Sequence, residues 1–284
     1  MAHWMKLFAA QFAAAGLALT SLSSASMASD PGPRWTMDVM PYAWAPFLKG
    51  QTIINGRVAD IDFTPIDVLK NLDALPFMGY AEARKDRVSF YGDVFYAKLG
   101  ASGSLIRARN FGPIGVGVNI SGDGEFEQLV AEFGGSYEVA KWNSGAGFTA
   151  FDVIGGFRYW RQELEVGVSA TGAINIAGLQ LVGGRAVARS GSVDWLDPLV
   201  GFRVRHGFAP GQEVFFRADV GGFDVGSELT WNVLGAYKFD FSVQNGVTYS
   251  GLLGYRILDI DYTKSSYSYD VLQHGPVMGL SLRF

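Results

Sequence analysis

The sequence predicts an all-β protein, a transmembrane antiparallel up-and-down β-barrel of about ten strands. Apolar and polar residues alternate with a period of two from Trp35 to Phe284, which is typical of strands that have two different faces. Beyond an apolar N-terminal segment, no uninterrupted run of 18 apolar residues occurs, so a bundle of membrane-spanning helices is excluded. The N-terminal segment itself is typical of an exported protein.

This N-terminal segment has the three parts of a secretory signal peptide. Lys6 supplies the positive charge, the stretch from Leu7 to Leu22 is apolar and uncharged, and Ser26-Met27-Ala28 offers small residues before a cleavage point. We therefore expect residues 1–28 to be a signal peptide and residues 29–284 to be one barrel domain in the outer membrane of a Gram-negative cell.

Composition limits the partners and cofactors. Removing residues 1–28 takes away Lys6 alone, so 22 basic and 27 acidic residues leave a net charge of −5, which does not suggest a nucleic-acid partner. The chain has no cysteine, so it offers neither a disulfide nor a thiolate metal site. We predict no cofactor and no metal.

The two faces of the strands differ in a way that favours a barrel over a soluble sandwich. A sandwich exposes one face to water and tends to be rich in Lys and Glu there, whereas here the polar face is rich in Gly, Ser, Asp and Arg, which suits a crowded polar lumen. The segment 128–139 illustrates the pattern: its polar face holds Gln128, Glu132, Gly134, Ser136 and Glu138, and its apolar face holds Leu129, Ala131, Phe133, Tyr137 and Val139.

Aromatic residues on the apolar faces predict two girdles at the membrane interfaces. One rim is expected to hold Phe151, Phe202, Phe216, Phe239 and Phe284, and the other Tyr96, Tyr159, Trp231 and Tyr255.

Alternating short and long connections predict the strand directions, because such barrels have short periplasmic turns and longer outer loops. The short connections are 85–87, 141–147, 206–212 and 242–246; the long ones lie around 101–123, 166–192 and 263–273. The ten predicted strands are 35–47, 77–84, 88–100, 125–139, 148–163, 193–205, 213–223, 227–240, 247–259 and 274–284.

The segment 48–76 is then an excursion on the outer side. Residues 50–63 suit a hairpin about Asn55-Gly56, and Thr64 suits an N-cap for a short helix from Pro65 to Leu72 that folds into the barrel mouth. Alternatively, 50–63 is a wall strand; with another strand from the 166–192 region, where Ala173 to Val182 is a candidate, the barrel would have twelve strands.

The chain resembles outer-membrane proteins in its last strand, which ends on Phe284 with Leu282, Leu280 and Met278 in register. That resemblance implies that Phe284 is an assembly signal read by the barrel-assembly machinery. The first third of the mature chain also resembles a family of uncharacterised proteobacterial outer-membrane proteins, porin-like small barrels, through Pro41-Tyr42-Ala43-Trp44, Gly50, Ile66-Asp67-Val68-Leu69, Asn71-Leu72, Glu82-Ala83-Arg84 and Gly92-Asp93. This resemblance assigns no activity and no functional residues.

Strand parity places seventeen charged side chains in the lumen, with the two signs nearly balanced. The acids are Asp38, Glu82, Asp93, Glu132, Glu138, Asp152, Asp197, Asp219 and Glu228, and the bases are Arg84, Arg158, Arg203, Arg205, Arg217, Lys238, Arg256 and Arg283. Unpaired charges in a low-dielectric interior cost several kcal/mol each, so we expect them to pair. An interior of ten strands is close to the filled limit of small barrels.

Enzymatic chemistry is poorly represented, and we predict no catalytic residue. His206 and His274 are the histidines of the mature chain, and no serine flanks His274, as a deacylase-like His-Ser pair would require. Asp259 and Asp261 lack a partnering histidine; with Asp270 they suggest either a loop cation site or a solvated acidic loop. Gly167 to Gly172 lacks the strand-turn-helix context of a nucleophile elbow.

Two functions remain open. One is a narrow channel for ions or small polar solutes, in which the lining charges set selectivity. The other is a structural or surface-interaction barrel without conductance, in which the same charges brace the wall. The expected partners are outer-membrane lipid, including lipopolysaccharide, and the assembly machinery; the sequence leaves the oligomeric state open.

Overall fold

The computed structural model describes residues 34–54, 57–102, 119–176 and 179–284. The predicted signal peptide lies outside them. The regular elements are β1 (Thr36–Trp44), β2 (Phe47–Ile54), β3 (Arg57–Phe63), α1 (Pro65–Lys70), β4 (Phe77–Lys85), β5 (Val88–Ser102), β6 (Asn119–Ser144), β7 (Gly147–Ile176), β8 (Leu179–Ala209), β9 (Gln212–Gly222), β10 (Leu229–Gln244), β11 (Val247–Lys264) and β12 (Tyr267–Arg283).

Ten of these strands close into an antiparallel barrel in the order β1-β4-β5-β6-β7-β8-β9-β10-β11-β12, and β12 returns to pair with β1. The β2–β3 hairpin pairs with the N-terminal half of β12, through pairs such as His274 with Phe47. The prediction of ten wall strands is therefore confirmed, and the twelve-strand alternative is wrong. The turn proposed at Asn55-Gly56 lies outside the described residues.

β1 and β2 follow one another along the same edge of β12. Trp44 is paired with Val277, the amide of Ala45 donates to the carbonyl of Pro276, and Phe47 is paired with His274. Together, β1 and β2 therefore pair along nearly the whole length of β12, although only β1 is one of the ten wall strands.

Tight turns join the strands at one end of the barrel, here called the short-turn end. Asn245 and Gly246 both have positive φ, 52° and 80°, as a two-residue type I′ hairpin requires. The turns between β4 and β5, β6 and β7, and β8 and β9 also contain a residue with positive φ: Asp86, Gly145 and Gly211 respectively. The N-terminal end of β1 and the C-terminal end of β12 meet at this end too, where Met37 and Phe284 exchange backbone hydrogen bonds.

Three strands reach further toward the short-turn end than predicted because each contains a β-bulge. The register shifts between Glu138 and Ala140, between Gly207 and Ala209, and between Asp240 and Ser242. Bulges concentrate at barrel rims, where they add one residue and change the direction of the strand. The inserted residues, Val139, Phe208 and Phe241, are exposed apolar side chains.

At the opposite end, two of the predicted long loops are wrong. β7 runs to Ile176 and β8 begins at Leu179, so residues 166–176 and 179–192 are paired strands, and β11 turns into β12 between Lys264 and Tyr267. The Gly- and Ser-rich composition suggested loops, but an antiparallel neighbour satisfies backbone hydrogen bonds whatever the side chains are. Of the loop predicted at 101–123, residues 103–118 lie outside the described residues.

The helix α1 begins as predicted and ends earlier. The Thr64 hydroxyl accepts from the Asp67 amide and the Asp67 carboxylate accepts from the Thr64 amide, which is a capping box, and Pro65 stands in the first turn. After Lys70 the chain returns to the wall, where Leu72 bridges to Leu99 of β5. This segment therefore covers the edge of β5 that β4 leaves free above Tyr96, and Val68 is the buried residue of α1.

Candidate functional site: the barrel interior

The interior is defined by contacts between strands that are not neighbours in the sheet. Arg203 of β8 binds Glu82 of β4, with Nη1 2.7 Å from Oε2. Arg256 of β11 binds Asp93 of β5 at 3.1 Å, and Lys238 of β10 binds Asp38 of β1 at 2.5 Å. Such pairs can meet only across the inside of a closed barrel.

The central level is a four-charge cluster formed by Glu132, Arg158, Arg217 and Asp219 from β6, β7 and β9. Arg158 is fully buried and binds Glu132 at 2.7 Å and Asp219 at 2.6 Å. Arg217 binds the same two carboxylates and also donates to the Tyr91 hydroxyl. Two acids and two bases balance one another, as burial in a low-dielectric interior demands.

A second group extends this level to the far wall. Arg256 donates to the Asp93 carboxylate and the Asn232 side-chain oxygen, and Asp93 accepts from the Tyr42 hydroxyl at 2.8 Å. The Asn232 amide in turn donates to Asp219 at 2.9 Å. The network therefore runs without a break from β6 through β9 and β10 to β11 and β5.

Closer to the short-turn end, three arginines converge on one acid. Asp152 is fully buried and accepts from Arg84, Arg203 and Arg205 at 3.3, 2.9 and 3.0 Å. Glu82 and Glu138 bind the same guanidinium groups from the sides. The arginines therefore lie between Asp152 and the lumen.

Asp38 organises the level nearest the chain termini. Its carboxylate binds Lys238 at 2.5 Å and Arg283 at 3.3 Å and accepts from the Ser281 hydroxyl at 2.6 Å. Two bases share this one acid. The trio therefore carries one net positive charge close to the short-turn end.

Beyond the charged levels, on the side away from the short-turn end (here called the upper side), aromatic rings occupy the interior. Trp195 of β8 stacks on Tyr262 of β11 with centroids 3.9 Å apart, and Trp160 of β7 stacks on Trp195 at 5.6 Å. The Tyr267 hydroxyl of β12 donates to Gln162 of β7 at 2.6 Å. These contacts join β7 and β8 to β11 and β12 directly.

A second aromatic and amide group lies beside the first. Phe126 of β6 stacks near Tyr269 of β12, and the Gln273 amide donates to the Gln128 oxygen at 3.2 Å. Together with Trp160, Trp195 and Tyr262, these residues form what we call the upper plug: Phe126, Gln128, Trp160, Gln162, Trp195, Tyr262, Tyr267, Tyr269 and Gln273. Seven of these nine side chains are buried, so little space is left in the interior at this level.

Below the central cluster the interior is hollow. A cavity of about 330 Å³ extends from Thr36, Phe148 and Glu213, near the short turns, up to Arg217 and Arg256. The central cluster and the upper plug stand between this cavity and the opposite end of the barrel. The cavity therefore has one open end.

Glycine on the inner face makes room for the central cluster. A Cβ on Gly134 would lie 2.8 Å from the Tyr91 hydroxyl and 2.6 Å from the Gly155 carbonyl oxygen, and Gly156 is equally crowded by the β6 backbone. Gly155, which faces outward, has open space at its Cβ position. The glycines of the polar face thus allow Tyr91 and Arg217 to pack against the wall.

Fifteen of the seventeen charges placed by parity take part in the interior ion-pair network. Asp197 is also buried, but it accepts hydrogen bonds from the Trp160 indole and from the amide and hydroxyl of Ser227, so it anchors the turn before β10. The placement of Glu228 is wrong: it precedes β10 and is exposed, because the inward alternation of that strand starts at Thr230. Phe284 lies at the seam between β12 and β1.

The aromatic residues of the upper plug were missed, whereas Gln128 and Gln162 were placed on the polar face of their strands. Trp160 and Gln162 share the parity of Arg158 on β7, and Trp195 shares that of Asp197 on β8, so the signal was present. The lumen prediction named only charged residues and therefore did not include these rings.

The candidate catalytic residues are not brought together. His274 faces outward, where it stacks on Phe47 and hydrogen bonds to the Tyr255 hydroxyl at 2.7 Å, and His206 pairs with Thr149 near the short turns. In the part of the chain that the structure describes, no cluster of three or more His, Cys, Asp or Glu is arranged to hold a metal ion. The suggested cation site at Asp259, Asp261 and Asp270 is therefore not formed.

Outside the barrel, uncharged side chains form a belt between two charged levels. On β8, for example, the outward residues from Leu196 to Val204 are uncharged, and Asp194 and His206 flank them. The upper charged level continues on the neighbouring strands with Lys98, Glu127, Arg161, Glu228, Asp261 and Asp270. The nine residues from Leu196 to Val204, at about 3.3 Å each and tilted by about 40°, correspond to a belt about 23 Å high, close to the apolar band of a membrane barrel.

The predicted girdle residues lie on this belt. Phe151, Phe202 and Phe216 form a contiguous row on β7, β8 and β9, with centroids 5.8 and 6.0 Å apart. Tyr237 and Phe239 extend a similar row on β10. Within the described residues, no helix has the length and apolar character needed to cross a membrane.

The fold is that of outer-membrane β-barrels. The chain aligns with the outer membrane protease OmpT from Escherichia coli at a TM-score of 0.50 and 8% identity, over 91% of this chain and 99% of that chain. It also aligns with the translocator domain of the autotransporter NalP from Neisseria meningitidis, at 0.30 and 14%, over 98% and 97%, and with the Pseudomonas putida toluene transporter TodX, at 0.26 and 8%, over 90% and 89%.

At these identities the likeness concerns the fold alone, and none of the three activities transfers to this chain. No family model matches the sequence, and no curated protein matches it. The class defined here is thus the outer-membrane type of β-barrel, and the predicted membership of an uncharacterised family stays a prediction.

Proposed function

We propose that this protein is an outer-membrane β-barrel that is closed across its interior and acts through its outer extension rather than as an open pore. The observation that carries the proposal is the pair of filled levels in the interior. The central cluster links β6, β7 and β9 through fully buried ion pairs, and the upper plug joins β7 and β8 to β11 and β12. Opening a continuous path would break contacts at both levels.

The outward belt supports the membrane location. Its uncharged height is close to that of the apolar band of a membrane barrel, and charges resume above it on most of the wall strands. The hairpin of β7 and β8 continues far beyond this upper charged level, to Ile176 and Leu179. On this proposal the continuation lies on the cell exterior, where lipopolysaccharide or another surface partner contacts it, and the signal peptide of residues 1–28 directs export.

The proposal includes no catalytic step. His274 is on the outer face of β12, in contact with Phe47 and Tyr255. A general base is useful only within hydrogen-bond reach of a nucleophile, and the Tyr255 hydroxyl is the hydrogen-bond partner of its Nδ1. Unchanged hydrolytic activity in a His274→Ala variant, were any activity detected, would separate that activity from this residue.

Phe284 is proposed as the assembly signal. It faces outward at the closing seam, beside the first strand. Phe284→Ala should lower the amount of folded barrel in cell membranes while leaving the unfolding free energy of refolded protein nearly unchanged. A matched loss of both quantities would contradict a role in assembly.

The second candidate is a narrow channel, and the cavity favours it. The cavity already reaches from the short-turn end to Arg217 and Arg256, so only the central cluster and the upper plug separate the two ends. Rearrangement of these two levels would open a path lined by charges of both signs.

Conductance of refolded protein in planar bilayers distinguishes the two candidates. A closed barrel should show no discrete openings over a range of voltages, and a Trp195→Ala, Tyr262→Ala double variant that thins the upper plug should show them more often than the parent. Regular openings of the parent protein would overturn the closed-barrel proposal. In that case Arg203→Gln or Arg217→Gln should shift ion selectivity.

A further inference from the structure

We propose that the cavity below the central cluster is a binding site for a small amphipathic anion, an apolar ring or chain that ends in a carboxylate, which enters from the short-turn end. The cavity of about 330 Å³ falls within the size range of small-molecule sites. Such sites combine apolar walls with a few convergent polar groups.

One wall of the cavity is apolar. Met40, Phe215, Leu234, Leu252 and Val277 line it from β1, β9, β10, β11 and β12, which are consecutive strands of the sheet. Because all five face inward at the level of the cavity, they form a continuous patch. This patch accounts for the apolar part of the ligand.

The opposite wall carries three arginines, whose charges are balanced by Glu82, Glu138 and Asp152. Arg84 of β4 and Arg203 and Arg205 of β8 line it. Their shared acid, Asp152, is fully buried behind them, so the guanidinium groups rather than the carboxylate face the cavity.

The sign of the ligand follows from the lining charges. Seven basic and four acidic side chains line the cavity, and Glu132, Glu138, Asp152 and Asp219 behind the lining, together with Arg158, offset this difference of three, so any excess positive charge is local. Near the open end, Lys238 and Arg283 share the single carboxylate of Asp38. Arginine forks bind carboxylates in two-point geometry, so an anionic head group fits beside Arg283 and Lys238 at the open end.

The test uses 3-(4-fluorophenyl)propanoate as the probe, with its uncharged amide as the matched ligand. Binding to the refolded full-length protein in nanodiscs of zwitterionic lipid is followed by ¹⁹F NMR. We expect saturable binding of the propanoate and at least tenfold weaker binding of the amide, since a charge-assisted hydrogen bond contributes about 1.5–3 kcal/mol. Displacement of the probe by octanoate identifies an acyl chain as an equally good apolar part, and failure of octanoate restricts the site to rings.

Two variants locate the bound probe. Arg283→Gln removes one of the two bases that share Asp38 and should weaken binding about tenfold, whereas Arg87→Gln, in the exposed turn between β4 and β5, should not. Leu234→Trp fills the apolar wall and should abolish binding while the far-UV circular dichroism stays that of a barrel.

Equal affinity for the propanoate and the amide would overturn the proposal. Unchanged binding in folded Arg283→Gln and Leu234→Trp would also overturn it, because the probe would then bind elsewhere. Conductance is measured in a separate experiment. Channel openings would contradict the closed-barrel proposal, whereas failure to bind the probe would contradict only the proposed binding site.

Discussion

Trp195 of β8 stacks on Tyr262 of β11 across the barrel, with ring centroids 3.9 Å apart and ring planes 14° apart. The two strands are three places apart in the sheet, so this contact spans the interior. The Trp195 indole also donates to the Ser227 hydroxyl at 2.7 Å. One side chain therefore holds together β8, β11 and the turn before β10.

Replacing Trp195 should consequently destabilise the whole barrel. Trp195→Ala removes a buried ring and leaves the Ser227 hydroxyl without its donor, which should lower the unfolding free energy by about 3–5 kcal/mol. Urea unfolding in micelles, followed by far-UV circular dichroism, measures this. Trp142→Ala is the control, because Trp142 is exposed near the short turns. Equal effects of the two substitutions would show that the plug does not contribute to stability.

The central cluster should be costly to break from one side. Arg158→Met leaves Glu132 and Asp219 buried with one base fewer, so we expect a loss of about 3–5 kcal/mol in unfolding free energy. Arg161→Met, three residues along the same strand, is the control: Arg161 is 55% exposed and its ion pair with Glu163 contributes little. A loss below 1 kcal/mol in Arg158→Met would mean that water replaces the guanidinium.

The inner-face glycines should be intolerant of a methyl group, whereas their outer-face neighbour should not. Gly134→Ala brings a Cβ against Tyr91 and the Gly155 carbonyl and should cost about 1–3 kcal/mol. Gly155→Ala places its methyl in open space and should be neutral or slightly stabilising. The same unfolding measurement compares them, and a larger loss for Gly155→Ala would contradict the assigned faces.

The capping box of α1 predicts a specific titration. Hydrogen bonds from the Thr64 hydroxyl and then the Thr64 amide lower the pKa of the Asp67 carboxyl below its ordinary value of 3.8. A lowered folded-state pKa means that the contribution to helix stability is present above 3.8 and is lost as the pH falls through the folded-state pKa. Carboxyl NMR titration should show the low value in the parent protein and a rise toward 3.8 in Thr64→Ala. An unchanged Asp67 titration in that variant would exclude the hydroxyl as the cause.

Asp261, in the upper charged level, should affect the pH dependence of stability in the opposite sense to Asp67. Partial burial, followed by the charges of Glu228, Asp270 and Asp259, raises the pKa of Asp261 above 3.8. The folded state then binds the proton more tightly than the unfolded state, so the stability contribution is greatest below pH 3.8 and is lost as the pH rises through the raised value.

Asp270→Asn removes one repulsive charge and should lower the Asp261 pKa and slightly increase stability at neutral pH. NMR titration and unfolding at pH 7 measure the two effects. Asp224→Asn, in the turn after β9, is the control and should change neither. A decrease in stability of Asp270→Asn would show that Asp270 makes a favourable contact that outweighs the repulsion.

Sequence reasoning succeeded where a residue's face is set by parity. Asp152, Arg158 and Arg203 were placed in the lumen because the alternation of β7 and β8 is regular between the bulges. The predicted strands ended too early at the rims: those ending at 205 and 240 stop before the inserted residues Phe208 and Phe241, and nothing in the composition marks such an insertion.

Which acid pairs with which base in the lumen could not be predicted from the sequence. Parity places Arg203 inside, but its contact with Glu82 depends on how closely β4 and β8 approach one another across the lumen. That approach is set by strand tilt and by the aromatic rings of the upper plug, both of which are properties of the closed barrel. The balance of signs was predictable, whereas the pairing was not.

The use of β12 by both β1 and β2 has a kinetic consequence. Val39 pairs with Leu282 and Thr52 with Tyr269, so the seam joins residues more than 200 positions apart in the chain. Contacts of such sequence separation form late, because the chain entropy between them must be lost first. Until then β12 exposes the edge that β1 and β2 will occupy, and a nascent barrel is vulnerable to mispairing there. We therefore expect the pairing of the 17-residue β12 with the first two strands to be a late step of folding.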